Sequence, residues 1–441
     1  MSTIIEQPRY SCALSAQQTV LAIPRAHPIL HSGPGCSEQS TTFQVTEGGL
    51  QGEGYTGGPH ISCTNSSQKE IIFGGVEKLK DTISGALKII DCDLFVVLTG
   101  CTADIVGDDT VSVAMDYAEE GYPVVGVETA GFKGNSYYGY SEVVKAIIEQ
   151  YVGDVTPKVR KGVVNVFSIV PYQNPFWKGD LQEIKRILEK LGLEVNILFG
   201  VESKGVSEWK DIPNAQFNLL LSPWVGKDIV ELLQQKYGTP YLQLPFVPVG
   251  AESTSAFLRQ VGEFAGLDKN HVENVIADFE EVYYSYYNTL SGFIETYREE
   301  FAWDYFTVAD SNYALGASVF LTNELGMSPK GIYITDDAKK SYQEEIIQQF
   351  LKQNEIFKDK VIFENDGGLL QSDIRSKLGE NREDRELILG STWEKFLARE
   401  TENYYTSLSV PLTQDYVINT SYAGYRGGLT LIKEITRDIF R

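Results

Sequence analysis

The sequence predicts an α/β protein with three doubly wound, Rossmann-like domains and mostly parallel sheets. Short apolar segments of strand length alternate with longer segments whose apolar residues recur at helical spacing. Continuous apolar strands between helices are typical of parallel sheets that are buried on both faces. The alternation recurs in three series along 441 residues, a length that suggests about two to four domains. We therefore predict domains at 1–155, 156–300 and 301–441.

Each series supplies its own strands and helices. The first contains apolar segments at 28–30, 94–98 and 124–127, with a helix at 109–119 before the last of them. The second contains strands at 163–170, 194–198, 217–221 and 241–244, with a helix near 181–191. The third follows a tyrosine-rich helix at 277–300 and contains strands at 305–309, 331–334, 361–363 and 387–389. This order of elements indicates repeated strand–helix–strand units.

Composition excludes several classes of function. The net charge is −22, from 60 acidic and 38 basic residues, whereas a nucleic-acid partner requires a clustered basic face. A polybasic segment that could bind anionic lipid is absent from the sequence. The sequence also lacks an apolar run of about eighteen residues and a secretory signal. We expect a cytoplasmic protein that binds neither nucleic acid nor membrane.

The distribution of cysteine is the strongest chemical signal. All five cysteines fall in the first quarter of the chain, and none follows in the remaining residues. An odd number in a cytoplasmic chain makes a disulfide framework unexpected. The N-terminal region therefore has a specific use for thiol groups. The cysteines are Cys12, Cys36, Cys63, Cys92 and Cys101.

Two of these cysteines follow predicted strands. Ligands of open α/β sheets bind beyond the carboxyl ends of the strands, and Cys36 and Cys101 come directly after such ends. Gly33 and Gly35 permit positive φ and close approach of backbone to a bulky inorganic ligand. Iron–sulfur clusters bind thiolates, but cysteine is also a common small hydrophobic residue of protein cores. Spacing alone leaves both interpretations open.

Five N-terminal segments together resemble nitrogenase component 1 proteins, a superfamily of nitrogenases, cofactor-assembly scaffolds and nitrogenase-like reductases. Two C-terminal segments extend the resemblance over nearly the whole chain. The N-terminal segments are YSC at 10–12, HSGPGC at 31–36, IFGG at 72–75, TGCTADIVGDD at 99–109 and TAGFKG at 129–134. The C-terminal segments are LGSTWEKF at 389–396 and AGYRGG at 423–428.

The resemblance implies a ligand set. Cys12, Cys36 and Cys101 match the three cysteines that each subunit offers to a P-cluster-type [8Fe–7S] cluster, or to a simpler [4Fe–4S] cluster, at a subunit interface. Three ligands cannot complete a four-iron cube, so a partner chain or another ligand is needed. The resemblance implies a homologous partner subunit, most simply in an α2β2 heterotetramer. A separate ATP-dependent [4Fe–4S] reductase and a small-molecule substrate are implied as further partners.

Several positions depart from the catalytic α-type pattern and make the chain more similar to β-type subunits. Ser222 stands near the position of an α-type cofactor cysteine, and Asn419 stands where a C-terminal histidine is expected. Gly131 occupies the position at which some β-type subunits carry an extra serine ligand. Cys63 and Cys92 match no ligand of the family, and we expect them to pack in the interior.

These observations predict one subunit of a nitrogenase-like component 1 reductase. Its cluster would relay electrons from the ATP-dependent reductase to a substrate-reducing site. A scaffold for cofactor assembly is the alternative, and no catalytic residue of this chain is identified. The sequence contains neither a GxGxxG nor a Walker A motif, so nucleotide hydrolysis would belong to another protein. His27, His31 and His60 lack the spacing typical of zinc sites.

Overall fold

The computed structural model of the protein describes residues 5–51, 60–167, 169–379 and 385–440. Within these ranges thirteen strands form three sheets, and neighbouring strands in each sheet are parallel. Helices connect the strands, because parallel neighbours require a crossover connection. The predicted α/β fold class is confirmed, with sheets that are parallel throughout rather than mostly parallel.

The first sheet carries the predicted cysteine loops. Its strands are β1 (Ala26–His31), β2 (Ser62–Cys63), β3 (Leu94–Thr99) and β4 (Val124–Val127), in the order β2-β1-β3-β4. Its helices are α1 (Ala16–Leu21), α2 (Gly35–Thr42), α3 (Gln68–Phe73), α4 (Val76–Ile89), α5 (Cys101–Val106), α6 (Thr110–Glu119) and α7 (Ser136–Ala146). Strands β1 and β3 are buried along their whole length, as central parallel strands are.

The second sheet has four strands and the third has five. The second contains β5 (Arg160–Phe167), β6 (Glu194–Asn196), β7 (Ala215–Leu221) and β8 (Tyr241–Leu244), in the order β6-β5-β7-β8. The third contains β9 (Asp304–Ala309), β10 (Ser328–Ile334), β11 (Val361–Phe363), β12 (Leu387–Gly390) and β13 (Tyr404–Ser407), in the order β11-β10-β9-β12-β13.

The remaining helices cover these two sheets. Those after the strands of the second sheet are α8 (Trp177–Lys190), α9 (Val206–Asp211), α10 (Lys227–Tyr237), α11 (Gly250–Ala265) and α12 (Lys269–Thr296). Those of the third region are α13 (Ser311–Asn323), α14 (Lys340–Gln353), α15 (Gly367–Lys377), α16 (Thr392–Glu400) and α17 (Gly424–Thr436). None of the helices in the described ranges is long and apolar enough to cross a membrane.

Several helices begin at an acidic or amide residue that caps the first turn. Asp109, Asn135, Asp310 and Asp366 each accept a backbone N–H from the helix that follows. A side-chain oxygen at this position pairs an N–H group that has no partner within the helix. The expectation that the acidic pair after Cys101 starts a helix is thereby confirmed, since Asp109 caps α6.

The sequence pattern missed the limits of some elements. The strand expected at 163–170 ends at Phe167, and the N–H of Val170 donates to the Asn174 side chain over 2.7 Å instead of to a neighbouring strand. Strands β2 and β13 were not predicted, because two residues carry no periodicity and because Thr406 and Ser407 interrupt the apolar pattern of β13.

The C-terminal helix returns to the middle of the chain. Helix α17 packs against α8, α11 and α12, which flank the second sheet. A Cβ at Gly428 would lie 2.6 Å from the Cα of Gly250, so glycine permits this close helix crossing. The AGYRGG segment therefore serves helix packing, and the domain limits near 155 and 300 stay a prediction.

Candidate metal centre

Cys101 is held at the carboxyl edge of the first sheet. It begins α5 directly after β3, and the N–H of Gly100 donates to the carbonyl oxygen of His31 at the end of β1 over 3.0 Å. A Cβ at Gly100 would lie 2.4 Å from the Ser32 side chain. Glycine is therefore required where the two loops cross, and the crossing brings the loop of Cys36 beside Cys101.

Cys12 reaches the same edge from the N-terminal segment. The N–H of Ala13 donates to the carbonyl oxygen of Gly134, and the N–H of Ser136 donates to that of Ser11, each over 2.9 Å. These bonds attach the Cys12 segment to the loop that follows β4. The side chain of Cys12 itself is exposed.

Gly131 lies beside the thiols of both Cys12 and Cys101. A Cβ at Gly131 would lie 3.0 Å from the sulfur of Cys12 and 3.2 Å from that of Cys101. The two sulfurs therefore converge on one residue that has no side chain. The N–H of Gly131 also donates to the sulfur of Cys101 over 3.1 Å.

Cys36 lies in the first turn of α2 and contacts Ser32, which lies against the residue before Cys101. Its sulfur is 3.8 Å from the hydroxyl of Ser32, the residue that also contacts the Gly100 position. Gln17 donates to its carbonyl oxygen over 3.1 Å. The described residues contain no group of three His, Cys, Asp or Glu side chains that could hold a single metal ion. The three cysteines thus lie on adjoining loops of one edge without forming a complete site within this chain.

The expectation of positive φ in the Gly33–Gly35 loop is wrong. Neither Gly33 nor Gly35 is among the glycines with positive φ, and Gly35 is the first residue of α2. The chain changes direction here by starting a right-handed helix, so no residue of the loop needs a left-handed conformation. A Cβ at Gly35 would meet no atom within 4 Å. What glycine provides at this position is open space beside Cys36.

Cys63 and Cys92 have different surroundings. The Cys63 thiol donates to the carbonyl oxygens of Ser32 and Gly33, over 3.4 and 3.7 Å, and burial raises its pKa. Burial raises the pKa of Cys92 to about 11, although the charge of Arg25 opposes the shift. Both thiols are therefore harder to ionise than an ordinary cysteine.

A buried histidine–aspartate contact, which the sequence did not reveal, joins three of the motif segments. The Nε2 of His31 lies 2.9 Å from Asp108 Oδ2, and the N–H of Gly75 donates to the same oxygen over 2.8 Å. His31 Nδ1 lies 3.1 Å from Thr64 Oγ1. Burial lowers the pKa of His31, and the hydrogen bond and charge of Asp108 oppose that shift. Only the presence of these residues in adjacent motifs could have indicated the contact.

Ser222 and Asn419, the two positions that depart from the α-type pattern, make local contacts. The buried hydroxyl of Ser222 accepts the N–H groups of Trp224 and Val225, over 3.3 and 3.0 Å, and so closes a turn. The carbonyl oxygen of Asn419 lies 2.5 Å from the position of a Cβ at Gly179, so this loop lies against the start of α8. The Ser222 side chain therefore has a structural role, whereas Asn419 makes this contact through its backbone and is exposed.

Exposed apolar side chains surround Cys101. Phe73, at the end of α3, is 81% exposed, and Ile105 on α5 is 75% exposed. Helix α3 packs against α5, while an ion pair of 3.0 Å between Lys133 and Asp104 holds the loop that carries the exposed Phe132. We call Phe73, Ile105 and Phe132 the apolar patch. Contiguous exposed apolar surface commonly marks an interaction site.

Comparison with known proteins identifies the family. A family model described as nitrogenase component 1 type oxidoreductase matches residues 11–440. The chain belongs to this family. Membership confirms the resemblance predicted from the motifs and the predicted oxidoreductase class.

The relatives of this nitrogenase component 1 type chain include both reductases and nitrogenases. One subunit of the light-independent protochlorophyllide reductase of Halorhodospira halophila is 25% identical, over 74% of this chain and 60% of that protein. The nitrogenase molybdenum-iron protein alpha chain of Methanothermobacter thermautotrophicus is 26% identical, over 97% of this chain and 87% of the relative. The nitrogenase molybdenum-iron protein beta chain of Bradyrhizobium diazoefficiens is 23% identical, over 86% of this chain and 75% of that protein. Overall similarity therefore extends to α-type and β-type chains alike.

A solved structure has the same fold. Nitrogenase Cp1 at pH 6.5 matches with a TM-score of 0.80 at 20% identity, covering 100% of this chain and 94% of that chain. The match extends over all three sheets and agrees with the α/β fold described above.

Proposed function

We propose that the chain is one subunit of a nitrogenase-like component 1 reductase and holds an iron–sulfur cluster through Cys12, Cys36 and Cys101. The observation that carries the proposal is the convergence of the Cys12 and Cys101 sulfurs on Gly131. Soft thiolates are the ligands that iron–sulfur clusters require. The cluster is of the P-cluster type, [8Fe–7S], or a [4Fe–4S] cluster.

The arrangement suits a site shared between two chains. Cys12 is exposed, and three thiols are too few to complete a cluster within this chain. A homologous subunit would supply the remaining ligands, in keeping with relatives that are named as alpha and beta chains. We therefore propose an α2β2 heterotetramer in which the carboxyl edge of the first sheet faces the partner subunit.

Residues of this chain tune and support the thiolates. The N–H of Gly131 donates a hydrogen bond to the Cys101 sulfur, and the open space at Gly35 lets a bulky ligand approach Cys36. The contact of His31 with Asp108 fixes the loops before Cys36 and after Cys101 relative to each other. Such a cluster supplies one-electron chemistry between an electron donor and a substrate-reducing site.

The apolar patch supports a docking site for the electron donor. Phe73 and Ile105 extend from the two helices beside Cys101, so a protein bound there would lie close to the cluster ligands. We propose that an ATP-dependent [4Fe–4S] reductase docks on this surface. Because the Ser222 hydroxyl is engaged in a local turn, the small-molecule substrate is assigned to a site with a major contribution from the partner.

The decisive experiment is anaerobic purification of the chain together with its homologous partner, followed by analysis of iron and acid-labile sulfide. Cys101→Ala and Cys12→Ala should each lower the iron content. Cys92→Ala is the matched control, because Cys92 is a partly buried thiol with a raised pKa. Iron-free wild-type complex would overturn the proposal, as would a Cys101→Ala complex with its full iron content.

Turnover distinguishes the reductase from the assembly scaffold. A complex that contains iron and consumes electrons from the reductase in the presence of substrate is an enzyme. A complex that instead transfers its metal cluster to a second protein without substrate reduction is a scaffold.

A further inference from the structure

We propose that Arg9 and Glu394 are a positioning pair for Cys12, through which the C-terminal part of the chain sets the location of an N-terminal cluster ligand. The inference rests on the proposed function, since it takes Cys12 as a ligand. It assigns a role to the LGSTWEKF segment, which the cysteine site leaves unexplained.

The two side chains form a buried, bidentate ion pair. Arg9 Nη1 donates to Glu394 Oε2 over 2.6 Å, and Nη2 donates to Oε1 over 2.7 Å. Nη1 also donates to the hydroxyl of Ser391 over 2.9 Å. The side chains are only 3% and 0% exposed. Parallel N–H bonds to both carboxylate oxygens fix orientation as well as distance.

The carboxylate of Glu394 is fixed independently of Arg9. It accepts the N–H and the hydroxyl of Ser391, over 2.9 and 2.8 Å, in the capping box that begins α16. A Cβ at Gly390 would lie 2.7 Å from the same side chain. Burial favours the neutral acid, but the charge and hydrogen bonds of Arg9 and the bonds from Ser391 outweigh it and hold the pKa of Glu394 below its usual value. The Glu394 carboxylate at the start of α16 is thus a fixed negative charge to which Arg9 of the N-terminal segment binds.

Only two residues, Tyr10 and Ser11, separate Arg9 from Cys12, so this anchor acts close to the thiol. Next to Arg9, the hydroxyl of Tyr10 accepts the Asn365 side chain over 2.8 Å. On the other side of Cys12, the N–H of Ala13 donates a hydrogen bond to the carbonyl oxygen of Gly134, in the loop after β4. The position of the exposed Cys12 side chain therefore depends on side-chain contacts of Arg9 and Tyr10 before it and on a backbone hydrogen bond of Ala13 after it.

An alternative is that the ion pair only stabilises the fold. Lys330 provides a matched control, because it pairs with the buried Glu386 over 2.6 Å in the same third sheet. Lys330 lies near the amino end of β10, whereas Glu394 follows the carboxyl end of β12. Loss of either pair weakens the third sheet, but only loss of Arg9 removes one of the anchors of the Cys12 segment.

The test uses the anaerobic complex of this chain with its partner and measures iron content, the electron paramagnetic resonance spectrum and the midpoint potential of the cluster. Arg9→Met should shift the potential and alter the spectrum, Arg9→Lys should restore part of the wild-type signature, and Lys330→Met should leave both unchanged. If the Arg9→Met complex does not assemble, the same measurements are made on Glu394→Gln. That variant removes the charge of Glu394 and keeps the shape of its side chain.

A well-assembled Arg9→Met or Glu394→Gln complex with wild-type spectrum and potential would overturn the inference. Equal changes in the Lys330→Met complex would overturn it too, because the effect would then be general. Iron-free wild-type complex is a different outcome, which contradicts the proposed function itself.

Discussion

The backbone N–H of Gly131 donates to the sulfur of Cys101 over 3.1 Å, while the position of its missing Cβ lies 3.0 Å from the sulfur of Cys12. One residue therefore contributes a donor to one thiol and leaves room for the other. Because the distances from this position to the two sulfurs, 3.0 and 3.2 Å, are shorter than most real Cβ contacts, a side chain here would displace at least one of the two sulfurs by a few tenths of an ångström.

Gly131→Ala should consequently lower the iron content of the complex and leave the fold intact. The alanine methyl group would press against Cys12, which can move because its side chain is exposed. Iron per complex and the circular dichroism spectrum are the measurements. Gly85→Ala is the control, since a Cβ at that position in α4 meets no atom within 4 Å. Full iron content in Gly131→Ala would show that the space beside the two sulfurs is not needed.

Glu394→Ala should reduce the free energy of unfolding by roughly 3–5 kcal/mol, because it leaves the buried charge of Arg9 without a partner. Urea denaturation measures the loss. Glu400→Ala is the comparison, since Glu400 pairs with Arg375 at the surface and such pairs contribute about 0–1 kcal/mol. Similar losses in the two variants would contradict the assigned burial of the Arg9 pair.

The free energy of unfolding should fall as the pH rises, because Asp310 is buried and ionises only with difficulty in the folded protein. Burial, reinforced by the nearby charge of Asp336, raises its pKa to about 7, above the value of about 3.9 in an unfolded chain. A raised folded-state pKa contributes stability that is fully present below about pH 4 and is lost as the pH passes through about 7.

Asp310→Asn removes this titration and keeps a residue that caps α13 well. The unfolding free energy of the wild type should therefore decline more steeply than that of the variant between about pH 4 and pH 7, by an amount on the order of a few kcal/mol. Urea denaturation across this interval is the measurement. Parallel pH profiles would show that Asp310 ionises in the folded protein as it does in the unfolded chain.

Phe73→Ala should weaken docking of the electron-donating reductase without loss of iron, because the ring is 81% exposed at the end of α3 and supports no core. The rate of electron transfer at limiting reductase concentration should fall, and saturating reductase should restore it. Ile89→Ala, at the equally exposed end of α4, should have no effect. Equal behaviour of the two variants would place the docking surface elsewhere.

Much of the fold follows from local sequence. The continuous apolar segments at β3, β4, β7 and β9 predicted buried parallel strands, because strands covered on both faces need no polar alternation. The same reasoning located Cys36 and Cys101 after strand ends. It failed for the two-residue strand β2, whose existence depends on pairing with β1 rather than on its own composition.

The sequence by itself determined the α/β class, the clustering of thiols in the first region and the family to which the motifs belong. Only the tertiary structure decided which thiols converge. The sulfurs of Cys12 and Cys101 both approach Gly131 because three loops meet at one sheet edge. It also decided that Arg9 pairs with Glu394, 385 residues further along the chain. Periodicity and capping are local and can be read from neighbouring residues, whereas a contact between distant side chains exists only after the sheets have packed.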